Sequence, residues 1–145
     1  MISSKYLHYR KVLSMGTIDR GDIGGRQQMI LQCIWDLGGE AIVSQIQERL
    51  EEAYDAKITG QGINTTINLL LQKGLLRRER KIHQSFIYET TMTQEEFRLN
   101  EVRRIKNRSF GGSAAELFAA LVQDGLTKDE ISQIKKITKN ATVKE

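Results

Sequence analysis

The chain has no proline, one cysteine and two histidines in 145 residues. Against an average proline content of about 5%, that absence leaves the breaks between elements to Gly, Asn, Ser and Thr. The lone Cys33 excludes an internal disulfide and fits a reducing cytoplasm. His8 and His83 lie far apart in the chain, and with Cys33 they cannot assemble a metal-ligand set at useful spacing. No cofactor or metal is therefore expected. Also missing are an apolar run of about 18 residues, a signal peptide and any solenoid-like repeat, so we expect a protein that neither spans a membrane nor leaves through one. Charge is plentiful but nearly balanced, with 22 Lys and Arg against 18 Asp and Glu and a net charge of +4. That excess permits nucleic-acid binding without requiring it, so the placement of the charges decides.

What is present is organised around residues 59 to 88. Ile63, Ile67, Leu70 and Leu71 recur at the spacing of a helix with one buried stripe. Its other face carries Gln61, Asn64, Thr65 and Asn68, short polar side chains with almost no charge, and Gly74 is placed to end it in the left-handed conformation. After Leu75 and Leu76 comes an extended segment rich in Arg and Lys. A turn near His83 and Gln84 and a returning strand FIYETT follow. Asn and Gln can pair with base edges while Arg and Lys hold phosphates on either side.

Upstream, SKYLHYRKVL suggests a short helix with Lys5, Arg10 and Lys11 beside Tyr6, Leu7, Tyr9 and Leu13, and TIDRGDIGG reads as loop. Residues 1–25 are thus an N-terminal extension, either a partly ordered tail or a basic arm on DNA or a partner subunit. A helix over Arg26–Leu37 buries Ile30, Ile34 and Leu37 with Cys33 among them, so that thiol is expected in a core rather than in a reactive setting. Trp35 is assigned to the core in the same way. Gly38-Gly39 ends this helix, and Glu40–Ile42 is long enough for one strand or bridge. Ser44 is the expected cap of a second helix to about Tyr54, with Ile46, Leu50 and Ala53 buried and an acidic outer face that would repel phosphates. The short link from Asp55 to Gly60 makes helices two and three a helix-turn-helix pair.

Downstream, TQEE from Thr93 is a capping box opening a helix with Phe97, Val102 and Ile105 on one discontinuous face and many arginines around it. Gly111-Gly112 interrupts that helix. Neither the strand nor the Lys-Ser/Thr of a phosphate-cradling loop accompanies the two glycines. Ser113 caps a helix carrying Ala114, Leu117, Phe118, Leu121 and Val122, and Thr127–Glu130 boxes the start of another carrying Ile131, Ile134 and Ile137. Burying six or seven large side chains at roughly 1.5 to 3 kcal/mol each would stabilise an association by as much as a small protein's whole stability. A symmetric dimer is the economical way to bury them.

The chain is therefore read as mostly α with a small β-hairpin. We expect a winged helix-turn-helix DNA-binding domain over residues 26–92, then a linker helix and C-terminal helical dimerisation region over residues 93–145. At this point it resembles the penicillinase-repressor family, the BlaI/MecI/CopY-like transcriptional regulators, from about Gln27 to Ile137. The resemblance is carried by ILQCIWDLGG with EAIVSQIQERL, by INTTINLLLQKGLLRRER with FIYET, by TQEEFRLNEVRRI, and most specifically by FGGSAAELFAALVQDGLTKDEISQIKKI. It implies a homodimer on a palindromic DNA operator, a recognition helix over Gln61–Lys73 and a wing over Arg77–Phe86. Thr59, Gln61, Asn64, Thr65 and Asn68 fall where base or phosphate contacts are implied. Gln61, Gly62 and Leu69 depart from residues common in relatives, which separates the operator from the TACA/TGTA type. The tail ITKNATVKE has no cysteine cluster of the copper-responsive branch. Arg103-Arg104 stands where the antibiotic-responsive branch has a cleavable Asn-Phe bond.

The mechanism expected is electrostatic anchoring with groove readout. Lys73, Arg77, Arg78, Arg80 and Lys81 supply cations, with His83 at the minor groove. Neutralising about 6 to 10 phosphates would cost roughly 10³ to 10⁵ in affinity between 50 and 200 mM salt. Glu79, among these cations, is expected to face inward or pair with an Arg. No enzyme is expected, because the carboxylates sit on exposed helix faces and no polar constellation converges. The competing reading is a winged-helix protein–protein interaction module whose hairpin binds an acidic partner.

Overall fold

The computed structural model describes residues 23–143; the expectations placed on the N-terminal extension before that lie outside the described residues. The elements run α1 (Gly25–Asp36), β1 (Glu40–Ala41), α2 (Val43–Tyr54), α3 (Gly60–Gln72), β2 (Leu76–Ile82), β3 (Ser85–Thr90), α4 (Gln94–Ser109), α5 (Ala114–Asp124) and α6 (Lys128–Lys139). The three strands form one antiparallel sheet in the order β1-β3-β2, so the short segment after Gly39 extends the hairpin by a third strand. Two compact units divide between Phe97 and Arg98, inside α4.

In the first unit the apolar stripes of three helices meet. Ile30, Ile34, Ile46, Leu50, Ile63, Ile67 and Leu70 are fully buried, with Cys33 among them as expected of a core thiol. Each large aliphatic side chain withdrawn from water in this way contributes roughly 1.5 to 3 kcal/mol. Trp35 is only half-buried: its ring tilts against Phe97 at 5.4 Å between centroids, and its Nε1 donates to the Met92 carbonyl at 3.1 Å. This draws the first turn of α4 onto the first unit.

A polar clasp joins α1 to α2. Asp36, its side chain 7% exposed, accepts from the Tyr54 hydroxyl at 2.6 Å, from Gln32 Nε2 at 2.9 Å and from Arg49 Nη2 at 3.2 Å. A buried carboxylate is tolerable only when satisfied in this way.

Ser44 does not cap α2. The helix starts two residues earlier than such a cap would allow, at Val43, with Ile42 at the cap position, and the Gln45 side chain accepts from the Ile42 N–H at 3.0 Å. An amide three residues into the helix thus does the work expected of a hydroxyl. The remaining caps follow their sequence signatures. Thr93 and Glu96 bond reciprocally, Ser113 accepts from the Glu116 N–H, and Thr127 and Glu130 form a second box. Glu130 is held below the ordinary carboxylate range, first by the backbone N–H of Thr127 and then by its hydroxyl.

The second unit is different in kind. Neither α5 nor α6 buries a residue fully in the isolated chain. Phe118, Val122, Ile131 and Ile134 line a groove of about 490 Å³ together with Leu126, while Leu121 and Ile137 stand outside it, 48% and 68% exposed.

Candidate nucleic-acid interface

α3 owes its position to both ends of its sequence. At the start, the Thr59 hydroxyl accepts from the Gly62 N–H at 3.0 Å, and Gln47 of α2 donates to the Ile58 carbonyl at 3.0 Å, fixing the link between the two helices. A Cβ on Gly62 would lie 3.0 Å from the Ile58 side chain and 3.3 Å from the Thr59 hydroxyl, so glycine lets this cap close tightly. At the other end Gly74, with φ +74, closes the paired bonds that stop a helix: Leu75 N–H to the Leu70 carbonyl at 2.9 Å and Gly74 N–H to the Leu71 carbonyl at 3.0 Å.

Between them the helix carries no charged side chain. Ile63, Thr66, Ile67 and Leu70 are buried, whereas the expected stripe included Leu71, which is half-buried. Thr66 takes the inward place because its hydroxyl donates to the Gly62 carbonyl at 3.0 Å, which satisfies it within its own helix. Gln61, Asn64, Thr65 and Asn68 all face outward and are exposed. Gln72 continues that face one turn after Asn68, a position the periodicity marks and the sequence reading omitted. Thr65 donates to the Gln61 carbonyl at 3.0 Å, which leaves its methyl and its oxygen lone pairs outward.

The cations around α3 divide into free and committed groups. Lys73 reaches back to Gln27 of α1, Nζ to Oε1 2.8 Å. Arg77 sits between Glu79, at 2.7 Å, and Glu89, its cross-strand neighbour, at 2.9 Å. The hydrogen bond to Glu89 is the leading reason its guanidinium holds its proton more tightly. The same bond is the leading reason Glu89 lies below the ordinary carboxylate range. Arg80 is 3.9 Å from Glu40. Glu40 and Glu89 face each other across β1 and β3, a like-charge pairing that costs stability unless compensated. Arg77 and Arg80 compensate it, which also accounts for Glu79, expected from sequence to turn inward or pair.

Arg78 and Lys81 are deployed differently. The ladder pairs Arg78 with Tyr88 and Lys81 with Phe86, which leaves Glu79 and Arg80 opposite Ile87 alone, so β2 carries a bulge between them. Strict alternation would put Arg78 and Lys81 on opposite faces. The extra residue brings both over the ring of Phe86, at 4.8 and 4.6 Å from its centroid. Phe86, 37% exposed, leans in turn on Tyr88 at 6.4 Å. The hairpin turns at His83, whose φ of +56 places a non-glycine residue in the left-handed region, with its side chain exposed at the tip. Arg26, at the start of α1, places its guanidinium 3.9 Å from where a Cβ of Gly62 would lie, beside the first turn of α3. Sequence reading missed Arg26 and Phe86, since neither contact follows from spacing along the chain.

Among the described residues no group of three or more His, Cys, Asp or Glu side chains could hold a metal ion, and no helix is long and apolar enough to cross a membrane. A three-helix core presenting an uncharged amide-bearing helix, followed by a cation-bearing hairpin, defines a winged helix-turn-helix protein. Residues 23–140 match the model of the family described as penicillinase repressor, and the chain belongs to that family of DNA-binding transcriptional regulators. Comparison with curated proteins gives no match. Among solved structures, the hsRosR-S4 complex is similar with a TM-score of 0.49 and 18% identity, over 83% of this chain and 90% of that one. RosR of H. salinarum, grown from NaBr, gives 0.48 and 18% over 84% and 96%. The organohalide-sensing transcriptional regulator RdhR, in its 2,4-dichlorophenol-bound form, gives 0.41 and 12% over 94% and 69%.

Proposed function

We propose that the chain is a homodimeric repressor that occupies a palindromic operator, reading base edges with α3 and holding phosphates with the β2–β3 wing. The observation that carries this reading is the outward face of α3. Gln61, Asn64 and Asn68 are exposed on a rigid helix and make no side-chain hydrogen bond among the described residues. Paired donors and acceptors held ready in this way suit the edges of base pairs in a major groove. Arg78 and Lys81 flank them as phosphate ligands. The exposed apolar side chains of α5 and α6 supply the contact between two copies, so that two α3 helices enter grooves about one helical turn, or a multiple of it, apart. A dimer seated on a promoter represses by excluding polymerase.

The test is a gel shift with genomic fragments. Specific retention is expected, weakened selectively by Asn64→Ala and across all sequences by Arg78→Ala, by about 1 to 3 kcal/mol for the first. In sedimentation, Phe118→Asp should convert a dimer to monomers that lose operator binding. Retention without sequence preference would instead favour a protein-interaction module.

A further inference from the structure

We infer that the part of the operator under α3 consists of A·T pairs, read by the amides of Gln61, Asn64 and Asn68 and by the apolar side chain of Leu69. The inference rests on the DNA-reader reading above and specifies its substrate. Arg and Lys are the side chains that most often recognise guanine, through its O6 and N7, and cytosine is read by an acidic acceptor. α3 has neither kind: between Gly60 and Gln72 every side chain is uncharged. The next residue, Lys73, is turned back to Gln27 at 2.8 Å. What the face offers is amides, which pair with adenine through N6 and N7, together with Thr65, whose methyl suits a thymine methyl, and Leu69. Leu69 is 41% exposed, one turn beyond Thr65 and at the margin of the amide row, where a thymine C5-methyl is the one apolar group a major groove presents. An exposed leucine there gains nothing from water and gains contact area from that methyl.

Among the described residues, Arg26 beside the first turn of α3 and Lys57 in the exposed link before the Thr59 cap are further cations close to that helix. The Arg26 guanidinium lies beside Gly62, 3.9 Å from where a Cβ there would stand, which suits a phosphate. Arg26→Ala therefore lowers affinity for all sequences and leaves base preference alone.

The experiment is selection of bound duplexes from a randomised pool by the purified full chain, followed by binding to the enriched site with single thymines replaced by deoxyuridine. The expected result is half-sites with an uninterrupted A·T core. At one position, loss of the thymine methyl should weaken wild-type binding several-fold but leave Leu69→Ala unaffected. Enrichment of half-sites with a fixed guanine or cytosine in that core, or indifference to deoxyuridine at every position, overturns this inference while leaving the DNA-reader reading intact. A fixed guanine that disappears with Arg26→Ala overturns it too. Failure to enrich any sequence overturns both.

Discussion

Glu89 shows how one side chain can decide what its neighbours are free to do. It faces Glu40 on one strand and Arg77 on the other, and the guanidinium drawn to it is thereby engaged within the sheet. Because its carboxyl is held below the ordinary range in the folded chain, its contribution to stability is complete above that range. It is lost as pH falls through the lowered folded value. In an NMR titration Glu89 should therefore protonate below the ordinary carboxylate range, and Arg77→Met should move its midpoint back toward that range. An unchanged midpoint in that variant would mean that Arg77 is not the group responsible. By the same logic Arg77, although chosen from sequence as a phosphate ligand, should contribute less to DNA affinity than Arg78.

At the scale of elements, the wing is organised by Phe86. A cation over an exposed aromatic face gains about 0.5 to 1 kcal/mol, and Phe86 holds two. Phe86→Leu keeps the strand and its apolar contacts but releases both cations. It should weaken binding to every duplex by about threefold to tenfold, with an unchanged circular dichroism spectrum. A loss confined to one sequence would contradict the positioning role. The sequence announced most of these elements: apolar spacing located α1, α2 and α3, Gly74 ended α3 where expected, and Thr93, Ser113 and Thr127 opened their helices. It did not announce the bulge in β2, because setting two residues against one is a property of two strands together. For the same reason it could not sort Arg77 from Arg78. The cap expected of Ser44 failed because Gln45, equally able to reach the first N–H, stands one residue on.

For the whole molecule, if it binds as the proposed dimer, the relevant quantity is how many phosphates that dimer engages. If Arg26, Arg78 and Lys81 of each copy engage phosphates, about six contacts give a logarithmic dependence of affinity on salt with slope near −5. Fluorescence anisotropy between 50 and 200 mM salt measures it. Arg78→Ala, removing two contacts per dimer, should make the slope shallower by about two, whereas Arg77→Ala should change it by less than one. Equal effects would show that the carboxylates around Arg77 release it on binding.

Cys33 sits at the middle of the three-helix core with no surface open to solvent. A thiol so enclosed does not compete with one introduced at the surface, so a maleimide or nitroxide reagent added to a cysteine placed at Ser85 or Gln72 would mark that position alone. The protein thereby comes ready for spectroscopic rulers across the proposed dimer, with no need to remove its own sulfhydryl first.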